Sequence, residues 1–506
     1  MPDEGLQPTT APIHLAGAPS VRRTLVLAAC LMATFMAVVE SSIVATAMPT
    51  IVADLGGFNL FSWVFAVYLL TQAVSIPVYG RLADIYGRKR VFYIGAGLFL
   101  IGSTLCGFSG NMLTLILFRA LQGFGAGAVQ PIATTILGDI YTPTERAHVQ
   151  GLVSSVFGVS AVLGPSLGAF LVEQVSWQFV FWVNLPIGIA AIGMIAVFLH
   201  EQVGHRRHRI DYLGSLLLMV GIAALMLLLV QGGSLSRAAL SAAGAVTVAT
   251  MVALVLHERS VAEPMLPLEL WRNRVILVGS LGGAAISAVM MGVSAFLPTY
   301  VQGAMGRSAL SGGLVLGAMS VTWAVASFYG GRLMVRTTYR LTAVLGTLAL
   351  IAGSVVLITL TPERGVPWAS VGSLLIGIGM GFCNTTFIVS IQAAVPWQQR
   401  GAATSSCMFL RFVGQSLGAA AFGAVLNFTL LREAPEAVGM VDQMLDPVQR
   451  SGLPAAELAR LVDVVALGLH NTYVLAGVLS VVALGLALLL PARLSPRTPG
   501  SPLSRG

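Results

Sequence analysis

Gly80-Arg81-Leu82-Ala83-Asp84-Ile85-Tyr86-Gly87-Arg88-Lys89-Arg90 sets five charges between two long apolar runs. A weaker copy, Gly331-Arg332-Leu333-Met334-Val335-Arg336, returns at the end of a later apolar run. One charged hairpin used twice in a hydrophobic chain points to a duplicated membrane protein.

Composition agrees. Charged residues make up 9% of the 506-residue chain and apolar residues 56%. An ordinary globular domain carries about 25% charged residues, so a water-facing surface of normal size cannot be built here. Each bilayer crossing needs about 20 mostly apolar residues, with backbone groups satisfied inside a helix. Fourteen stretches qualify: 24–47, 61–79, 91–109, 112–137, 148–172, 178–199, 212–231, 238–257, 275–299, 309–330, 341–360, 367–393, 402–427 and 470–490. The fold class expected is an all-α polytopic membrane protein.

The net charge of +8 is explained by topology, so no nucleic-acid partner is expected. Twenty of the 28 Lys and Arg fall in the two tails and in every second loop, while Arg237, Arg307, Arg364, Arg432, Arg450 and Arg460 fall in the others. This positive-inside bias puts both termini in the cytoplasm. The first twenty residues are polar and Pro-rich without a basic start, unlike a cleaved signal peptide, so the first span is expected to be an uncleaved anchor. Cys30, Cys106, Cys383 and Cys407 lie in apolar runs without CxxC spacing, which supports neither a metal site nor a disulfide framework.

Landmarks recur between the halves at nearly constant offset. Pro49-Thr50 returns as Pro298-Thr299, Gly80-Arg81-Leu82 as Gly331-Arg332-Leu333, Gly123 to Gly127 as Gly377 to Gly381, and Gly164 to Gly168 as Gly414 to Gly418, at offsets of 249, 251, 254 and 250. The expected organisation is a cytoplasmic tail (1–23), a six-helix bundle (24–199), a linker with two extra spans (200–274), a second six-helix bundle (275–490) and a cytoplasmic tail (491–506). The polar stretch 428–469 is expected to be an external loop with a short amphipathic helix near 455–467. Two extra crossings preserve the orientation of the second half, and parallel six-helix repeats with a substrate path between them are a known transporter plan.

Inside the fourteen runs the ionisable side chains well away from the ends are Glu40, Arg119 and Arg411. A charge near the bilayer centre costs at least ~2.5 kcal/mol, so each needs a partner, a water-filled cavity or neutralisation. Glu40 lies seven residues from the end of its predicted span, and Arg119 seven residues into the fourth. Both are then expected about 10 Å beneath the outer surface. Glu40 is read as the proton-binding group and Arg119 as the charge that biases its protonation; the alternative is a static ion pair. In the hairpin, Asp84 is expected to follow a helix end and to meet a helix N-terminus or an Arg in one conformation only, forming a latch with Gly80, Gly87 and Arg88. Arg88, Lys89 and Arg90 also serve topology. Gly158, Gly164, Pro165 and Gly168 suggest a bent, closely packed fifth helix sealing the boundary between halves. Trp63, Tyr68, Gln122, Gln130, Phe296, Trp323, Asn384, Phe387, Gln392 and Arg411 are the candidates to line a substrate cavity. His205 and His208 lack further ligands nearby, so no metal site is expected, and no phosphate-binding loop points to ATP.

These residues resemble the major facilitator superfamily, specifically its fourteen-helix branch of drug:proton antiporters, over about residues 24–490. Gly80 to Arg90 is similar to the family's loop motif between the second and third helices. Leu115, Arg119, Gln122, Gly123, Gly125 and Gly127 match the fourth-helix motif whose Arg is linked to proton transfer, and Gly158, Gly164, Pro165 and Gly168 match the fifth-helix motif of antiporters. Val39 to Pro49 is similar to the first-helix motif, with Glu40 in place of the usual Asp. Trp177 to Pro186 is similar to another motif of the branch, with Gln178 where Arg is usual, and Arg411 fits an arginine often carried by the penultimate helix.

The resemblance implies an exporter rather than an enzyme: an antiporter that exchanges protons for an amphipathic small molecule, with the proton gradient in place of a cofactor. The expected partners are that substrate, protons and the lipid bilayer. The chain is expected to be a monomer in a bacterial inner membrane. A dedicated exporter of a metabolite, siderophore or lipid is the neighbouring reading, and a receptor or scaffold on the same fold is the reading from another class.

Overall fold

The computed structural model describes residues 20–141, 143–201, 211–232, 235–261, 268–396, 400–434, 441–445 and 447–491. Backbone donors and acceptors in an apolar medium have to be satisfied within the segment. The long apolar runs accordingly form helices: α1 Ser20–Leu55, α2 Phe61–Tyr86, α3 Arg88–Gly107, α4 Met112–Ile140 and α5 Pro143–Gln174. A short α6, Phe179–Trp182, leads into α7, Asn184–Phe198, and these are followed by α8 Tyr212–Gln231 and α9 Arg237–Ser260. After the short α10, Leu268–Trp271, come α11 Arg274–Thr299, α12 Ala309–Arg336, α13 Tyr339–Ile358, α14 Gly365–Ala393 and α15 Arg400–Glu433. The short α16, Val441–Leu445, and α17, Pro447–Gly452, precede α18, Ala455–Leu489. Among the described residues no strand occurs, and thirteen helices are long and apolar enough to cross a membrane. α5, 32 residues long, is not one of those thirteen.

Where the sequence marks a boundary, a cap supplies the reason. Asn111 and Thr114 form a capping box at the start of α4, and Asp211, Ser236, Asn273, Ser308 and Thr338 each accept from a backbone amide at the start of a helix. Two expectations are corrected by helix length. α1 runs on to Leu55, so Glu40 lies 15 residues before its end, about 23 Å along the axis rather than about 10 Å. The final span has no separate amphipathic helix before it, because α18 is continuous from Ala455 to Leu489. Its first turns are polar enough to leave an apolar medium without breaking the helix.

The repeat in the sequence reappears as repeated packing. α2 packs on α4 as α12 does on α14, α1 on α5 as α11 on α15, and α3 on α4 as α13 on α14. The glycines explain the closeness. A Cβ at Gly123 would strike the Thr71 hydroxyl and the Tyr68 carbonyl, and one at Gly377 would strike the Thr322 hydroxyl and the Met319 carbonyl. Thr71 and Thr322 are themselves separated by 251 residues, so the repeat extends to the receiving surfaces. The early helices (α1–α7) meet the later ones (α11–α18) where α2 packs on α15 and α5 on α12, while α8 rests against α2 and α15 and carries α9 on its other side.

We call the end that holds Ser20 and Leu489 the near face and the opposite end the far face. Hydrogen bonds join the two groups of helices toward the far face. Gln302 Nε2 donates to the Thr46 carbonyl at 3.2 Å, Leu310 N to Glu173 Oε1 at 2.8 Å, Asn427 Nδ2 to the Asn59 carbonyl at 2.8 Å and Ser416 Oγ to the Ala66 carbonyl at 2.7 Å. α16 adds a clasp: Asp442 accepts from the Gly57 and Phe58 amides, both at 3.1 Å, at the start of the 3₁₀ turn Phe58–Leu60. Arg450 on α17 donates to the Gly303 carbonyl at 2.6 Å.

Candidate functional site

α1 carries one carboxylate deep in its apolar run and α4 one guanidinium, and helix packing brings them together. Arg119 Nη1 pairs with Glu40 Oε1, and the two side chains are 1% and 0% exposed. Neutral polar groups complete the shell. Gln122 Oε1 accepts from the same Nη1 at 2.7 Å, and Arg119 Nε donates to the Val64 carbonyl at 3.3 Å. Asn184 Nδ2 donates to Glu40 Oε2 at 2.6 Å and to Ser103 Oγ at 3.0 Å. Gln122 Nε2 also donates to Ser103 Oγ, at 3.1 Å, and that hydroxyl donates to the Phe181 carbonyl at 2.8 Å. The guanidinium lies 4.0 Å from the centroid of the Tyr68 ring.

Both carboxylate oxygens of Glu40 are thus occupied by donors from α4 and α7. In a dry site this matters, since an ionised acid without such partners would bear a desolvation penalty of several kcal/mol. The arrangement holds the anion while α1, α4 and α7 stay together.

Of the cavity candidates, Gln122 and Tyr68 belong to this ion-pair shell; Tyr68 is 2% exposed. Phe296 is 1% exposed in an aromatic stack, 5.1 Å from Phe61 and 6.2 Å from Phe422. Phe387 is buried against Gly282. In this conformation these four are packed rather than lining a cavity, because close helix approach at small residues encloses them. Trp63, Gln130, Trp323, Asn384, Gln392 and Arg411 are half-buried. Among the described residues Trp63 Nε1 and Asn384 Oδ1 have no hydrogen-bond partner, and Gln392 donates to Thr404 Oγ1 at 3.2 Å.

The hairpin differs from expectation. α2 continues through Tyr86, so Asp84 lies in its last turn and does not follow the helix end; the Asp84 side chain is outside the described residues. Gly87, with φ 90°, is the single residue joining α2 to α3, a conformation that excludes most other residues. The N-terminus of α3 is met by Glu201, which accepts from the Arg88 and Lys89 amides at 2.8 and 2.9 Å. Arg88 Nε pairs with Asp139 at 3.0 Å, and Lys89 Nζ donates to the Ala196 and Leu199 carbonyls, both at 2.7 Å. These basic side chains tie α3 to the ends of α4 and α7. A Cβ at Gly80 would meet nothing within 4 Å.

α5 lies between α1 and α12, but Gly164 and Gly168 face α1 and not the later helices. A Cβ at Gly164 would strike Ser42, and one at Gly168 would come within 2.8 Å of the Ile43 carbonyl, both on α1. The contact with α12 includes Pro165, whose carbonyl is 2.7 Å from where a Cβ of Gly313 would sit, and Glu173, which accepts from Leu310 N. Gly158 lies in α5, but its surroundings, like the histidines at 205 and 208, fall outside the described residues. Asn184 and Ser103 were missed as site residues. A lone amide opening an apolar run was a usable signal for Asn184; Ser103 had none, since serines in membrane helices commonly bond to their own backbone.

Beside two groups of helices related by a repeat, with a buried acid–arginine pair in the first, stands a match of residues 30–419 to the family model of the Major Facilitator Superfamily. The chain belongs to that superfamily. This major facilitator protein is a multi-pass membrane transporter and not an enzyme. It is similar to Multidrug resistance protein 3 of Bacillus subtilis (strain 168), with 33% identity over 464 residues, covering 88% of this chain and 91% of that protein. Multidrug transporter protein MdtP of the same organism is 33% identical over 454 residues, covering 87% and 82%. Its fold is that of a bacterial homolog to the human lysosomal transporter Spinster, solved in an inward-facing and unoccupied conformation, with a TM-score of 0.64 at 16% identity, covering 94% of this chain and 100% of that one.

Proposed function

We propose that this major facilitator protein is a proton-coupled exporter of amphipathic small molecules, a fourteen-helix drug:proton antiporter that works by alternating access. The observation that carries the reading is the fully buried Glu40–Arg119 pair with its shell of Gln122, Asn184 and Ser103. Two six-helix bundles, α1–α7 and α11–α18, move against each other, with α8 and α9 as the extra pair between them. The near face is cytoplasmic, in keeping with the basic residues gathered there, and the membrane is a bacterial inner membrane. The far-face hydrogen bonds then belong to an inward-facing state, and the near-face ties of Arg88 and Lys89 help set when that state gives way. The names of the two Bacillus subtilis relatives support export of drugs.

In this mechanism Glu40 takes a proton when its pairing with Arg119 loosens and releases it when the pair re-forms. One charge moving through 100 mV is worth about 2.3 kcal/mol, which supports a gradient of roughly fifty-fold per charge. The test is substrate-induced proton movement in proteoliposomes, with wild type beside Glu40→Gln and a panel of lipophilic cations, anions and neutral compounds. Proton flux in the wild type, lost in Glu40→Gln, is the expected result. Undiminished coupled flux in the variant removes Glu40 from the mechanism; flux for a single compound moves the reading to a dedicated metabolite exporter.

A further inference from the structure

Arg119 is neutralised by Glu40, whereas Arg411 has no such partner among the described residues. It projects from α15, half-buried, eleven residues after Arg400 and therefore about 16 Å into the helix. Its described hydrogen bond runs from Nε to Ser287 Oγ on α11, at 3.4 Å. Among the described residues no carboxylate pairs with it; Cys407, one turn earlier on α15, is the charged or titratable neighbour. The facing surface of α11 makes room for it: a Cβ at Gly283 would meet Arg411 Cγ at 3.2 Å. Ser280 and Ser287, three residues before and four after Gly283, share that helix face. Five residues further along α15, Ser416 is bonded to α2, so Arg411 stands just on the near side of the point where the two groups of helices are joined.

A guanidinium at this depth without a counter-charge is costly against a bilayer interior, and an arriving anion offsets that cost where an arriving cation adds to it. Its planar fork presents paired donors suited to a carboxylate, sulfonate or phosphate. We infer that Arg411 is an anion-binding subsite of the transport path, taking the oxyanion of an amphipathic anion or zwitterion, with the Ser280 and Ser287 hydroxyls as further donors. The inference rests on the exporter reading above and adds the charge of the substrate to it.

The test uses the full-length protein in neutral detergent and two dyes that share a xanthene ring, anionic fluorescein and cationic rhodamine 6G, followed by fluorescence polarisation. Wild type is expected to bind fluorescein saturably. Arg411→Gln is expected to weaken that binding about tenfold or more while leaving rhodamine 6G unchanged or tighter. Arg411→Lys, which keeps the charge, is expected to retain the preference for the anion and guards against loss through misfolding, which thermal unfolding of each variant checks. Displacement of fluorescein by phosphatidylglycerol, in wild type but not in Arg411→Gln, would assign the site to a lipid phosphate. Absence of saturable fluorescein binding, or equal binding by wild type and Arg411→Gln, overturns the inference. Glu40→Gln is expected to bind fluorescein like wild type even where coupled flux is lost, so failure of proton coupling and failure of the anion site are read separately.

Discussion

Glu40 is held at both oxygens, so the loss of Arg119 leaves a carboxylate in a dry site with only the neutral amides of Asn184 and Gln122 among its described partners. Breaking a buried pair by removing one partner costs about 3–5 kcal/mol, whereas replacing both by apolar residues is often close to neutral. Arg119→Leu is therefore expected to lower stability by that amount in thermal or denaturant unfolding, and Glu40→Leu/Arg119→Leu to recover much of it. A double variant no more stable than the single one would show that the pair is not the source. Asn184→Leu removes donors to Glu40 and Ser103 at once, and a loss of about 1–3 kcal/mol is expected in the same assay. At this scale the sequence was informative where a charge interrupted an apolar run, as at Glu40, Arg119 and Arg411. It was silent where a neutral polar side chain became important only through its neighbour, as with Ser103.

Helix packing separates glycines that look alike in the sequence. A Cβ at Gly123 or Gly377 would meet a backbone carbonyl that cannot move without its helix, while one at Gly80 or Gly331 would meet nothing within 4 Å. Gly123→Ala and Gly377→Ala are expected to cut the yield of monodisperse protein in size-exclusion chromatography; Gly80→Ala and Gly331→Ala are expected to fold normally. Equal yields for all four would mean that the α2–α4 and α12–α14 contacts yield more easily than their geometry implies. The α16 clasp has its own signature in pH. Burial pushes the Asp442 carboxyl above its ordinary value, against the pull of the Gly57 and Phe58 amides. A group that holds its proton more tightly when docked favours the docked form as pH falls through the carboxylate range, and that advantage is lost as pH rises through the raised value. Phe58 is 2% exposed under this clasp. Labelling of Phe58→Cys by an impermeant maleimide is expected to fall with pH more steeply than labelling of Phe58→Cys/Asp442→Ala; parallel profiles would exclude Asp442 as the titrating group.

Across the whole molecule, the two groups of helices are tied toward the far face, through Asn59 and Asn427 among others. A cysteine pair at those two positions, joined by a short thiol cross-linker, is expected to stop transport reversibly, with the four native cysteines buried away from the reagent. Wild-type rates from fully cross-linked protein would show that this end need not open. The all-helical, membrane-spanning class and the internal duplication were determined by the sequence alone. Lipid forces every apolar run of sufficient length into a hydrogen-bonded helix, and a repeat at nearly constant offset survives as equivalent glycines. The sequence also singled out Glu40 and Arg119, because charge inside an apolar run is costly wherever the helix goes. Only the tertiary structure decided that the two meet, that Asn184 and Ser103 close their shell, that Phe296 and Phe387 are packed away and that Arg411 stands without a counter-ion among the described residues. Those facts depend on which helix faces meet between residues far apart in the chain, such as Glu40 and Asn184, 144 positions apart, and local periodicity carries no record of them.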